Sequence, residues 1–407
     1  MVKTTLQTRA VYKGDLSSPE AIPEEGITRA VEIMRAGSLH RYGEDRSGVD
    51  EVSAFEQEFA AYMGARYALG VNSCGGAMFI ALKALGVKPG DSVLLNAFTL
   101  APVPGAVAHA GARHVLVDIR DDLTIDLADL DRKAEESGAR VLLLSHMRGH
   151  ISDMEAVAEI CKRRKIRMIE DCAHTVGARW DGRLSGSFGD VSCFSSQAFK
   201  HLNSGEGGII TTNDEDVAAR AILLSGSYML YPQHQARPPV EVFDRHKLDT
   251  PNCSMRMSTL VGAILRPQLR ELDARCQRWT ESYRRLETAL SPIDHLRVTV
   301  RDPREQFVGS SLQFAITDFD VDQINSLTTI SDAHGVHVKW FGRADPKGFT
   351  SRYTSWNYVD TKTVLAHTDT VLDGLCDIRV PVDLSAADCS TIAEVIRQAI
   401  EEVLSSS

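Results

Sequence analysis

Lys200 stands inside the run FSSQAFKHLNSGEGG (194–208), between hydroxyl residues and a glycine cluster. An amine there can form a Schiff base with a carbonyl, and neighbouring hydroxyls can hold an anion. The glycines cost backbone entropy unless a close approach or a positive φ requires them. Three other stretches supply matching parts. In VNSCGGAMFIALKAL (71–85), small polar residues and glycines stand where a helix opens, so free N–H groups and the helix dipole can hold a phosphate. Asp171 closes the apolar run IRMIED, Asn96, Ala97, Phe98 and Thr99 close another, and Ser195 and Ser196 close a third. A phosphate nest, a strand-end acid and a post-strand lysine together suggest pyridoxal phosphate, whose ring nitrogen needs an acid partner to act as an electron sink. Strand-end acids occur in any α/β enzyme, so the residues alone leave other readings open.

The surrounding elements must place those groups at one edge. SVLLN (92–96), ARHVLVDI (112–119), ARVLLLSH (139–146), IRMIED (166–171), DVSCFSS (190–196) and GGIITT (207–212) read as strands. Helical patterns at 54–63, 102–110, 127–136, 153–165 and 214–224 separate or flank them. Short strands that are apolar throughout predict a mostly parallel sheet covered by helices on both faces, with ligands beyond the strands' carboxyl ends. The order of strands is not readable. Residues 226–252 form a loop too long for mere connection. A long helix, with a break allowed for, is expected from about Met257 to Leu290, followed by a smaller α+β unit with strands at 310–319 and 337–342 and a last helix at 390–404. The division expected is an arm over 1–25, a large α/β domain over 26–265 and a small C-terminal α+β domain over 266–407.

Among 407 residues the net charge is -10, which argues against a nucleic-acid binder. CKRRK (161–165) suits a solvated helix C-terminus instead. Eight cysteines without a CxxC pair predict neither a disulfide framework nor a zinc site, and fit a reducing cytoplasmic setting. No metal is expected. MVKTTLQTRAVYKGDLSSPE shows no apolar segment followed by a cleavage site, and no stretch reaches membrane-spanning length.

Five stretches in order, GVNSCGGAMFIALKALGVKPGD (70–91), GARHVLVDI (111–119), SHMRGHISDMEAV (145–157), EDCAHTVGARWDG (170–182) and FSSQAFKHLNSGEGG (194–208), carry a family resemblance. The chain resembles the DegT/DnrJ/EryC1/StrS sugar-aminotransferases, near the amino-cyclitol transaminases and 3-amino-5-hydroxybenzoate synthases. The likeness runs from FEQEFA to the long helix and weakens beyond about 270. It implies the type-I fold of pyridoxal-phosphate-dependent transferases, working as homodimers with shared active sites. By that resemblance Lys200 binds the cofactor covalently and shuttles the proton, Asp171 pairs with the pyridinium nitrogen, and His174 approaches the ring. Ser195 and the backbone at Cys74 and Gly75 hold the phosphate. Cys74 is small filler at a close approach rather than a nucleophile.

Three positions depart from the family's pattern. Leu100 stands where an aromatic usually stacks on the ring, with Phe98 as a displaced substitute. The family's Ser-Gly-Thr becomes Ser73, Cys74 and Gly75. Ser254 stands where an asparagine crosses to the partner's phosphate site, and Asn252 is out of register. Substrate contacts are expected among Arg41, Tyr42, Tyr228, Tyr231, His234, Trp340 and Arg343, because arginines and aromatics suit carboxylates and rings; packing roles are open for each. The activity implied is transfer of an amino group from glutamate or glutamine to a keto-cyclitol or keto-sugar in specialised-metabolite (antibiotic) biosynthesis. Elimination, decarboxylation or oxidation on the same cofactor, or a silent regulatory protein of the same fold, are the alternatives.

Overall fold

The computed structural model describes residues 9–42, 50–359 and 363–406. Helix α1 spans Glu24–Ala36 and α2 spans Glu51–Met63. The chain then alternates through β1 (Tyr67–Val71), α3 (Cys74–Ala84), β2 (Ser92–Asn96), α4 (Pro102–His109), β3 (Arg113–Val117) and α5 (Leu127–Ser137). β4 (Val141–Ser145), α6 (Met154–Arg164) and β5 (Arg167–Asp171) follow. A small hairpin of β6 (Arg179–Trp180) and β7 (Arg183–Leu184) leads to β8 (Val191–Ser195), β9 (Gly208–Thr212) and α7 (Glu215–Ser225). The loop 226–252 contains a short helix, α8 (Val240–Asp244), before α9 (Thr259–Leu290). The rest comprises β10 (Leu296–Val298), β11 (Glu305–Gln306), β12 (Ser311–Ile316), α10 (Val321–Ala333), β13 (Lys339–Trp340), α11 (Ala366–Asp373), β14 (Leu375–Arg379) and α12 (Ala386–Ser406).

Side-chain caps explain several helix starts. Asp50 accepts from Val52 and Ser53 N–H, so α2 begins three residues before its expected start at 54. Asp126, Asp153 and Asp214 cap α5, α6 and α7 in the same way. Helix α9 is continuous through Pro267.

Seven strands form the main sheet in the order β1-β9-β8-β5-β4-β2-β3. Only β9 runs against its neighbours; the other pairings are parallel. Successive residues point to opposite faces, and both faces are apolar. Leu95 and Leu143 pack in one core with α3 and α7, while Leu94, Leu142 and Leu144 pack in the other with α2 and α6. The sheet register sets Ser145 beside Asp171, and Asp171 beside Cys193.

A second, antiparallel sheet has the order β10-β12-β14-β13 and packs its own core against α10 and α12. Helix α9 serves both cores: Leu265, Leu269, Leu272, Cys276 and Trp279 belong to the first, and Tyr283, Leu286 and Leu290 to the second. Tyr12 and Leu16 of the N-terminal segment pack in the second core, and Tyr12 N–H donates to His334 C=O. All eight cysteines are free thiols, and all but Cys253 are buried. Among the described residues no helix is long and apolar enough to cross a membrane.

Candidate active site

A cleft of about 550 Å³ lies where the parallel strands end, and its walls include Lys200, Asp171, His174, Ser195, Cys74, Gly75 and Leu100. These are the residues that the sequence places at strand ends and at the helix opening. At one end of the cleft, Ser73 caps α3 by accepting from Gly76 N–H at 3.0 Å. Cys74 and Gly75 N–H make no internal hydrogen bond among the described residues, which leaves two donors at a helix N-terminus. Gly208 is there for space. A Cβ on it would lie 2.3 Å from Ser73 O and 2.7 Å from Cys74 N, so a side chain would collide with the backbone of the nest. Gly205 turns the lysine loop at φ 80°.

Asp171 is buried at the end of β5 and is fixed from three sides. Ser145 Oγ donates to Oδ2 at 2.8 Å, Ala173 N–H to Oδ1 at 3.1 Å, and Cys74 Sγ lies 3.8 Å from Oδ1. Asn96 holds Ser145 in turn: its Oδ1 accepts from Ser145 N–H at 2.9 Å and its Nδ2 donates to Ser145 C=O at 3.1 Å. Burial leaves the Cys74 thiol with its pKa well above the usual value, and the nearby Asp171 adds to the effect. Cys74 is therefore a protonated filler rather than a nucleophile at neutral pH.

Lys200 Nζ and His174 Nε2 lie 2.7 Å apart. Burial pushes the Lys200 pKa down to about 7, and the Arg148 cation adds to that, with Asp171 pulling the other way. The His174 pKa falls well below its usual value, first from burial and then from Lys200 and Arg148. Near neutral pH the pair thus contains a neutral imidazole and an amine poised to take or give a proton.

The structure does not bring the remaining candidates to the cleft of their own chain. Arg41 is buried, donating to Glu56 Oε2 at 2.6 Å, with His234 Nδ1 2.8 Å away. Tyr42 Oη contacts the other ring nitrogen of His234 at 2.9 Å. These residues neutralise a buried carboxylate. Tyr231 stacks on Phe243 with ring centroids 4.2 Å apart, inside the core under the long loop. Tyr228 is exposed beneath the Arg256 guanidinium. Trp340 is buried and donates to Asp373 C=O, and Arg343 donates to Asn325 and Thr328. Ser254 is exposed at φ 53°, its N–H and Oγ both bonded to Asn252 Oδ1. Phe98 packs edge-on against Phe341 in a separate core cluster and does not replace the missing aromatic at Leu100.

Sequence reasoning passed over Ser145, Arg148 and Arg379, which also line the cleft. Arg148 and Ser145 stand within the quoted SHMRGHISD run, and a buried-site arginine there was the available signal.

The family model for the DegT/DnrJ/EryC1/StrS aminotransferase family matches residues 21–397. The chain belongs to that family. It is 34% identical over 293 residues to the spore coat polysaccharide biosynthesis protein SpsC of Bacillus subtilis (strain 168), covering 70% of this chain and 72% of that protein. It is 35% identical over 224 residues to dTDP-3-amino-3,4,6-trideoxy-alpha-D-glucose transaminase of Micromonospora megalomicea subsp. nigra, covering 55% and 57% of the two chains. The crystal structure of 3-amino-5-hydroxybenzoic acid synthase superposes with a TM-score of 0.79 at 25% identity, over 95% of this chain and 99% of that one.

DegT/DnrJ/EryC1/StrS aminotransferases are pyridoxal-phosphate enzymes, and the residues present fit that cofactor. The free N–H groups of Cys74 and Gly75 suit its phosphate. A fixed buried carboxylate suits its ring nitrogen, and an amine of lowered pKa suits its carbonyl.

Proposed function

We propose that this aminotransferase moves nitrogen from glutamate or glutamine to a ketone on a polyhydroxylated ring, a keto-sugar or keto-cyclitol, and that it works as a homodimer. One observation carries the reading. A single lysine amine, with its pKa near 7, lies 2.7 Å from a neutral histidine in a cleft that also holds a fixed carboxylate and a phosphate nest.

Pyridoxal phosphate, when bound, supplies the electron sink that makes the proton on the nitrogen-bearing carbon removable. The chain's own residues do the rest. Cys74 and Gly75 N–H, with Ser195 Oγ, hold the phosphate. Asp171, kept in place by Ser145 Oγ and Ala173 N–H, holds the charge on the ring nitrogen. Lys200 Nζ would accept the proton from the substrate carbon and give it back on the far side of the transferred nitrogen, and its value near 7 suits both tasks. His174 Nε2 orients that amine. Leu100 gives the ring an apolar wall. The Micromonospora relative is named for an amino sugar carried on a nucleotide, which supports a sugar-type acceptor. An exposed apolar run, Tyr228, Met229 and Leu230, supports a partner subunit over the long loop.

The test is a spectral titration of the cofactor-loaded protein with glutamate, glutamine and other amino acids, with the 2-oxo acid assayed alongside. Stoichiometric 2-oxo acid, followed by nitrogen appearing on an added cyclic ketone, is the expected result. Released carbon dioxide or consumed oxygen without 2-oxo acid would replace this reading with a different reaction.

A further inference from the structure

The cleft wall also carries two arginines, Arg148 buried and Arg379 half-buried, whose charge the protein neutralises only in part. Arg148 is 7% exposed and lines the cleft. Its Nε and Nη2 make no hydrogen bond among the described residues, and its ion-pair contact is a long one, Nη2 to Asp377 Oδ2 at 3.3 Å. Its backbone sits at φ 55°, a left-handed conformation that a long side chain adopts at a cost of about 1–3 kcal/mol.

Asp377 is already shared. It pairs across the small sheet with Gln313 and Lys339, accepting from Gln313 Nε2 at 2.7 Å and from Lys339 Nζ at 3.2 Å. Two residues along β14, on the same face by strand alternation, stands Arg379. Arg379 also lines the cleft, its guanidinium lies over the Phe199 ring at 3.7 Å, and it forms no ion pair among the described residues. Arg148, Lys339 and Arg379 therefore share Asp377, and Arg379 also feels the charge of Asp15. The carboxylates that line the cleft itself are Asp171, beside the nest, and Glu206, which is exposed. Buried cations without partners are costly, and planar guanidinium forks match carboxylates.

We propose that Arg148, with Arg379, is the receptor for a carboxylate of the substrate, and that this carboxylate belongs to the amino-acid donor. The assignment rests on the aminotransferase reading and adds to it the residues that choose the donor. Both arginines also depress the Lys200 and His174 pKa values, which places their charge near the reacting amine. An amino acid held there presents its nitrogen-bearing carbon to Lys200. When an acceptor without a carboxylate follows, Arg148 keeps its contact with Asp377, so one cleft serves both partners in turn.

The experiment is calorimetric titration of the cofactor-loaded protein with glutarate, a dicarboxylate that carries no amine. Binding by the wild type, with at least tenfold weakening in Arg148→Met and a lesser loss in Arg148→Lys, is expected. Arg379→Met breaks no ion pair, so it tests the same wall if Arg148→Met fails to fold. Absence of glutarate binding, or binding unchanged in both arginine variants, overturns the proposal. Tighter, Arg148-dependent binding of D-glucuronate assigns the wall to an acidic acceptor and overturns the donor assignment. Nitrogen transfer is read separately. If amino acids load nitrogen equally well in wild type and Arg148→Met, the receptor proposal falls and the transferase reading stands. If glutarate binding depends on Arg148 but no amino acid loads nitrogen, the transferase reading falls, and the donor assignment with it.

Discussion

Lys200 Nζ lies 2.7 Å from His174 Nε2, and the positive charge of Arg148 bears on both members of the pair. In cofactor-free protein the Lys200 amine therefore titrates near pH 7, where an ordinary lysine is protonated. Competitive acetylation read by peptide mass spectrometry should show Lys200 labelling rise through pH 7 and level off, while exposed lysines continue upward. Removing the Arg148 cation favours the protonated amine, so Arg148→Met should move that midpoint to higher pH. A midpoint near 10 in the wild type would remove the basis for Lys200 as the proton carrier.

Under the proposed function, replacing Lys200 by alanine removes the group assigned both to hold the cofactor and to move the proton. A positioned acid/base contributes about 10²–10⁴ in rate. The half-reaction with an amino acid should slow by at least about 10³-fold, with the circular-dichroism spectrum unchanged. A variant within tenfold of the wild type would transfer the role to another residue.

The main sheet and the meeting of Asp171, Ser195 and Lys200 in one cleft were legible from residue type and order. Continuous apolar strands can be covered only on both faces, and an acid and a serine at two strand ends, with a lysine just past the serine, meet at one edge once those strands are parallel. Asn96, read only as a strand end, proves to hold Ser145, which in turn holds Asp171. The arginine wall was not legible. Arg148 and Asp377 are 229 positions apart and meet only because the small sheet docks against the large one. Arg41 and Tyr231 misled for the reverse reason: sequence shows their chemistry but not Glu56 and Phe243, which absorb it.

Ser145 offers a test of that relay. A hydrogen bond to an ionised group is worth about 1.5–3 kcal/mol, so losing the Oγ donor to Asp171 should weaken cofactor binding by roughly ten- to a hundredfold. Equilibrium titration of Ser145→Ala with pyridoxal phosphate measures this directly. Ser145→Thr, which retains the hydroxyl, should recover most of the loss. Equal affinities in wild type and Ser145→Ala would show that Asp171 needs no such support.

Gly208 supports the nest through its missing side chain. In Gly208→Ala the new Cβ would meet Ser73 O at 2.3 Å and Cys74 N at 2.7 Å, both backbone atoms that cannot rotate away. Overpacking of this kind costs about 1–3 kcal/mol. Chemical denaturation should show that loss, and cofactor affinity should fall beyond it because the proposed phosphate donors are displaced. A stable variant with unchanged affinity would mean that the nest does not carry the phosphate.

Glu56 and Arg41 predict where acid unfolds the protein. Burial alone would raise the Glu56 pKa, but Arg41 and His234 outweigh it and hold the carboxyl at about 2. Asp377 is likewise buried, and Arg148 and Lys339 hold it at about 2. Both folded-state values lie below the unfolded ones, so the stabilisation is complete above about pH 4.5 and is lost as pH falls towards 2. Each carboxylate contributes on the order of 2–3 kcal/mol across that window. Arg41→Met leaves Glu56 buried without its main cation, and breaking such a pair costs about 3–5 kcal/mol. The variant should lose stability at neutral pH and lose the steep acid dependence, while KM for the donor stays near the wild-type value. A raised donor KM with unchanged stability would return Arg41 to the substrate site.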